Sequence, residues 1–172
     1  MAADVLINFH ILRGKIRWKK PKIFCFLLRK HWYKKKIDKS IELFSNVLEH
    51  EPENSVALFS RGTAYFSKKN YQQALHDFTK CIKLKPDSAK LYCSRGNAWL
   101  GLKQNESALL DLNKAVELDP YYPTAYFSRS EVFDRMEEKD QSEADRETAE
   151  RLQKHISRSY LETQGIELPY NL

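Results

Sequence analysis

The sequence predicts an all-α fold, an α-solenoid built by stacking antiparallel helix pairs, and three observations predict it. The first is a 34-residue stretch that occurs twice in a row, SVALFSRGTAYFSKKNYQQALHDFTKCIKLKPDS at 55–88 and AKLYCSRGNAWLGLKQNESALLDLNKAVELDPYY at 89–122. Ser60-Arg61-Gly62 recurs as Ser94-Arg95-Gly96, and Ala64/Ala98, Ala74/Ala108, Asp77/Asp111, Leu84/Leu118 and Pro86/Pro120 keep step. A fixed period of this length marks repeated supersecondary units rather than one closed core. The second is composition: 172 residues hold only 5 glycines and show no strand-like alternation, which favours helix throughout. The third is phase, because Pro52 lies 34 residues before Pro86 and Ser128-Arg129-Ser130 lies 34 after Ser94-Arg95-Gly96. The chain therefore holds about three to four units, each too small to bury its apolar face without a neighbour.

Charge divides the chain. Residues 1–40 hold 12 Lys and Arg against Asp4 and Asp38, whereas the remainder holds 17 against 21 acids. A strongly basic head on a mildly acidic body points to an appended tail or surface-binding arm. Cys25, Cys81 and Cys93 are odd in number and lack metal-ligand spacing, so a reducing, cytoplasmic compartment is the expected home. The sequon Asn105-Glu106-Ser107 is then a chance match. The longest apolar run, Ile23–Leu28, falls far short of the roughly 20 residues a membrane-spanning helix needs.

In residues 1–20, Val5, Phe9, Leu12 and Ile16 form one helical face among Arg13, Lys15, Arg17, Lys19 and Lys20. This segment reads as a cap or tail; membrane or organelle targeting and nucleic-acid binding are the alternatives. Residues 21–54 read as a damaged first unit. Ser40, Phe44, Val47 and Pro52 fall in the columns of Ala74, Phe78, Cys81 and Pro86, but Leu28 replaces the small residue of Gly62 and Gly96. That leucine predicts a splayed first pair.

The units 55–88 and 89–122 each read as two helices with a turn. The turns Lys68-Lys69-Asn70 and Lys103-Gln104-Asn105 end in asparagine, a residue able to cap the next helix. Pro86 and Pro120 stop each second helix, and Asp87 or Ser88 can cap the helix of the next unit. Residues 123–156 are a divergent last unit, with Ser130 and Ser142 as the small pair and Asp140 to Glu143 at capping-box spacing. Arg146 stands where Phe44, Phe78 and Leu112 stand earlier, which suits a terminal cap with a solvated outer face. No proline ends this helix on schedule, so it is expected to extend through Tyr160–Thr163, leaving 165–172 as a tail.

These columns resemble the tetratricopeptide repeat family over residues 21–156, through Gly62, Gly96, Ala74, Ala108, Tyr65, Trp99, Phe78, Ala115, Pro52, Pro86 and Pro120. The resemblance implies a right-handed superhelix whose first helices line a concave groove holding a peptide or partner helix. It implies no catalysis. Tyr65, Trp99 and Phe133 should be buried between helices. The groove columns, by the family pattern, carry Val56, Phe59, Thr63 and Phe66, then Lys90, Cys93, Asn97 and Leu100, then Thr124, Phe127, Glu131 and Asp134. Phe59, Cys93 and Phe127 would form an apolar track, either open to a partner or covered by the chain itself. One subclass of the family grips the carboxylate tail of heat-shock chaperones with Lys and Asn. Here those places hold Cys25, Arg29, Ser60, Lys90 and Ser94 in one register and Phe59, Thr63, Ser94, Thr124 and Ser128 in the next. Only Lys90 matches, so a chaperone tail is not expected as the partner.

The repeated Arg61, Arg95 and Arg129 suggest a phosphate ladder or, in the plainer reading, local pairs with acids such as Asp77 and Asp111. His10, His31, His50, His76 and His155 are scattered among units without a second ligand, a nucleophile or an orienting acid. No phosphate-binding glycine loop exists. The reading is a non-catalytic interaction scaffold or adaptor without cofactor or metal, whose partner is a protein. The alternative is a membrane- or organelle-tethered receptor, anchored through residues 1–36. Nucleic acid is the weakest of the partners considered.

Overall fold

The computed structural model describes residues 21–164, with side chains from residue 35 onward. The amphipathic face of Val5 to Ile16, the side chains of Cys25, Leu28 and Arg29, and the tail 165–172 lie outside the described residues. The chain divides into two units, 1–33 and 34–172. The described residues form seven α-helices and no strand: α1 (Pro21–His50), α2 (Ser55–Ser67), α3 (Tyr71–Leu84), α4 (Ala89–Gly101), α5 (Asn105–Leu118), α6 (Pro123–Arg135) and α7 (Lys139–Thr163). Helices α2 and α3, α4 and α5, and α6 and α7 pair as hairpins, and successive hairpins stack through α3 on α4 and α5 on α6.

The expected helix pair over 21–54 is instead one continuous 30-residue helix. The reason is visible in the sequence: where the later units break at Lys69-Asn70 or Lys103-Gln104, the corresponding Lys35-Lys36 is followed by Ile37-Asp38-Lys39 with no glycine, proline or asparagine. The second half of α1 keeps the core at Phe44 but not at Val47, which stands in the column of buried Cys81 and is 38% exposed. Leu48 and half-buried Phe44 join Ala57, Leu58 and Cys81 in one apolar cluster.

Proline sets the ends of the second helices. Helix α1 stops two residues before Pro52, α3 two before Pro86, and α5 two before Pro120. The first helices end differently from expectation. Asn70 makes no capping bond, α5 begins at Asn105 itself, and neither Ser88 nor the Asp140–Glu143 pair caps a helix. The turns are built instead on a left-handed residue: Lys69, Lys103 and Glu137 have φ of 61°, 62° and 64°. In each, the next N–H reaches back five residues, Asn70 to Tyr65, Gln104 to Trp99 and Glu138 to Phe133, at 2.9 to 3.0 Å. Paired with Lys69 to Phe66 and its two counterparts, this is a Schellman closure repeated three times without glycine. One asparagine does cap: Asn54 accepts from the Ala57 N–H at 3.0 Å.

Close approach within each hairpin comes from the small columns. A Cβ built on Gly62 would lie 2.8 Å from the Phe78 ring, and one on Gly96 would lie 2.9 Å from Leu112. Gly62 therefore faces Phe78 and Asp77, while Gly96 meets both Leu112 and the Ala108 carbonyl. Ser130 and Ser142, at 2% and 1% exposure, take these places in the last hairpin. Phe78, Leu58, Leu112 and Val132 are the largest apolar side chains closed off from water, each worth about 1.5–3 kcal/mol of burial. Helix α7 runs to Thr163 as expected, and Arg146 is exposed, paired with Asp134.

The two asparagines make opposite predictions. Asn54→Ala should cost about 1 kcal/mol by loss of its cap, and Asn70→Ala well under half that; urea unfolding followed by circular dichroism measures both.

Candidate functional site

Three arginines at 34-residue spacing hold the stack. Arg61 donates Nε and Nη2 to Asp77 at 2.8 Å each, Arg95 to Asp111 at 2.7 Å each, and Arg129 to Asp145 at 2.7 and 2.8 Å. Each also donates Nη1 to the second helix of the preceding unit: Ser45 at 3.2 Å, Thr79 at 3.4 Å and Asn113 at 2.9 Å. One guanidinium thus spans three helices. The rings of Tyr65, Tyr92 and Tyr126 lie 5.5 to 5.9 Å from these guanidinium carbons, in cation–π range. The bond to aspartate raises each arginine's pKa above its usual value, against the opposing cost of burial. The aspartates are at most 6% exposed, so these are structural pairs and not a phosphate ladder.

The predicted groove residues separate into two groups. Val56, Thr63, Lys90, Thr124, Phe127, Glu131 and Asp134 are exposed on α2, α4 and α6, and Phe59, Phe66 and Asn97 are half-buried beside them. Cys93 and Leu100 do not line an open surface: they are 1% and 3% exposed. The continuous track Phe59–Cys93–Phe127 is therefore interrupted at its centre. Cys93 is covered because α6 lies against α4, with Sγ 3.8 Å from the Ser128 hydroxyl and accepting from Asn97 at 3.7 Å. Arg135, unremarked in the sequence, clamps the other end by donating to the Leu100 carbonyl at 2.7 Å. Its signal was an arginine in the column of Ser67 and Gly101. Tyr65, Trp99 and Phe133 are half-buried, not enclosed; Tyr65 and Phe133 lie against the guanidinium of their own unit, and Trp99 packs on the apolar clusters around it. Phe59 is half-buried too, its ring 5.8 Å from Phe78, so the expected contrast between an exposed Phe59 and a buried Tyr65 disappears.

Helices α2 and α4 meet over a shorter stretch than α4 and α6, and two pockets open at that seam. One, of about 90 Å³, lies among Thr63, Phe66, Ser94 and Asn97 over the edge of Phe78. The other, of about 190 Å³, has Val56, Phe59 and Leu91 as its apolar wall and Lys85, Ser88 and Lys90 as its polar one. Lys85 was also missed, although it is the cation in a column that holds Glu51 and Asp119 in the flanking units. Cys81 lies at 0% exposure beneath this pocket and donates to the Ser55 carbonyl at 3.4 Å.

Family models carry the same reading. Two models, each described as Tetratricopeptide repeat, match residues 55–88 and 89–122. Residues 55–122 are two tetratricopeptide repeats. No curated protein matches its sequence. Among solved structures it is similar to a crystal structure of MamA, at 25% identity over 79% of this chain and 83% of that one, TM-score 0.65. It is also similar to the Arabidopsis OM64 TPR domain, at 29% identity over 58% and 83% of the two chains, TM-score 0.56. A third is the second TPR of Spaghetti (RPAP3) bound to the HSP90 peptide SRMEEVD, at 24% identity over 59% and 95%, TM-score 0.55. The tetratricopeptide fold is a scaffold for protein–protein interaction. Among the described residues no helix is long and apolar enough to cross a membrane, and no cluster of His, Cys, Asp or Glu is placed to hold a metal ion.

This packing makes two predictions. Asp111→Ala should cost on the order of 3 kcal/mol by stranding a half-buried arginine, and Arg95→Met with Asp111→Leu should recover most of it; thermal unfolding checks both. Burial pushes the Cys81 thiol up to about 11. Below pH 9 the thiol is neutral folded and unfolded; from pH 9 to 11 only the unfolded chain releases its proton, so stability falls through that window. The cost of Cys81→Ala, measured in urea, should therefore shrink as pH rises from 8 to 11.

Proposed function

We propose that the chain is a non-catalytic adaptor that holds an extended peptide or an amphipathic helix on the face shared by α2, α4 and α6. The observation that supports this reading is the polar column of exposed Thr63, half-buried Asn97 and exposed Glu131, flanked by Val56, Phe59, Phe66, Lys90, Thr124 and Phe127 and opened by two pockets at the α2–α4 seam. Apolar side chains beside polar ones on adjacent first helices suit a partner presenting alternating apolar and polar groups. Units 55–88 and 89–122 form its body, and the long α7, with Arg146 and its polar outer face, closes the stack. A reducing, cytoplasmic home suits two buried free thiols, Cys81 and Cys93.

The variant Thr63→Arg with Glu131→Arg changes two exposed groove positions and leaves the arginine bridges intact. Affinity purification of the full chain followed by mass spectrometry should lose its specific partners with this variant and keep them with Leu110→Asp, on an exposed α5 position at 72% exposure. The opposite pattern would put binding on another face.

A further inference from the structure

The larger pocket at the α2–α4 seam carries two lysines and no carboxylate in its lining. Six other cations on the stack are neutralised: Lys68 by Asp38, Arg135 by Glu131, Arg146 by Asp134, and the three bridging arginines by aspartate. Among the described residues Lys85 and Lys90 enter no ion pair. The Lys90 ammonium rests 4.6 Å from the Phe59 ring centre, a contact that satisfies none of its N–H donors. Charge in the Lys85 column is inverted relative to Glu51 and Asp119, so this cationic spot occurs at one seam and not at the flanking positions. The chain beyond residue 40 is net acidic, with 17 Lys and Arg against 21 acids, so an acidic partner finds attraction here and repulsion over much of the remaining surface.

We propose that this pocket takes an acidic, extended peptide. A side-chain carboxylate sits between Lys85 and Lys90, where charge-assisted bonds are available to both, and a neighbouring apolar side chain lies on Val56, Phe59 and Leu91. Lys90 falls at one position where the chaperone-tail subclass places a cation and Lys85 at none, so the pair differs from that clamp. The proposal rests on the groove reading above and names the chemistry of its partner.

Selection of short random peptides by display on the full chain tests it. Enriched sequences should place Asp or Glu beside Leu, Ile or Phe. The Kd of a fluorescent peptide made from the winner should rise about tenfold or more in Lys85→Glu with Lys90→Glu, and on replacing its acid by the amide. Lys139→Glu with Lys154→Glu, the same change in net charge at exposed α7 positions, should leave Kd within about twofold. Equal losses in the two double variants would overturn the proposal. So would enrichment of peptides without acids; if Thr63→Arg with Glu131→Arg still abolished their binding, the groove reading would stand alone. A pocket already filled by a second copy or by another segment of this chain would give no enrichment, and that result would overturn both readings.

Discussion

The structure depends on a guanidinium placed where three helices meet. Arg61, Arg95 and Arg129 each bond a buried aspartate on the paired helix and reach a polar side chain on the preceding unit. Such pairs add little net stability over a well-packed apolar substitute, because desolvating two charges offsets their attraction. Their effect is geometric. A hairpin crossing made of glycine, alanine and serine lets helices approach but leaves them free to slide, since small side chains interlock weakly. The planar fork accepts one arrangement of carboxylate and third partner, and so fixes the register at 34 residues from unit to unit. The half-buried state of Tyr65 and Phe133 goes with it: these rings pack beside a charged group that keeps part of its hydration.

Much of this was legible in the sequence, and the reasons are specific. The recurrence of Ser-Arg-Gly, alanine and proline gave fold class, helix pairing and the stops of α1, α3 and α5, because those residues act through local sterics that tertiary context does not override. The Arg–Asp pairing was readable from a common spacing of 16 residues, but the third contacts to Ser45, Thr79 and Asn113 were not, since they depend on how units stack. Capping was misread at Asn70, Asn105 and Asp140. The chain closes the preceding helix with a left-handed lysine or glutamate, and the following one starts without a side-chain cap. A lysine in that conformation costs roughly 1–2 kcal/mol relative to a right-handed one, and nothing in its identity announces it.

The first unit shows what the repeat requires. It keeps the apolar columns at Phe44 and Leu48 and the polar partner at Ser45, yet forms one helix where the later units form two. The hairpin is specified by its turn as well as by its hydrophobic face. Without a residue that readily leaves the helical region between two amphipathic halves, the helix continues, because each added residue contributes a hydrogen bond at low cost once the helix exists.

The groove was legible as a set of columns but not as a surface, and the difference lies in how neighbouring seams close. Columns assign Phe59, Cys93 and Phe127 equivalent places, whereas the structure buries Cys93 and leaves Phe127 exposed at 43%. Between α4 and α6 the facing residues are small or hydrogen-bonded, Cys93 with Ser128 and Arg135 with the Leu100 carbonyl, so the helices come together and cover the column. Between α2 and α4 the bulkier Phe59 and Phe66 stand in the columns of Cys93 and Leu100, and Lys90 lies beside them. Phe59 turns back onto Phe78, and Lys90 lies over the Phe59 ring. These side chains hold the two helices apart without filling the space they create. Of the two seams, the open one between α2 and α4 is where the recesses among Thr63, Phe66 and Asn97 and among Val56, Phe59 and Lys90 lie. Site selection in this molecule is thus a packing outcome, set by departures from the repeat and not by the repeat itself.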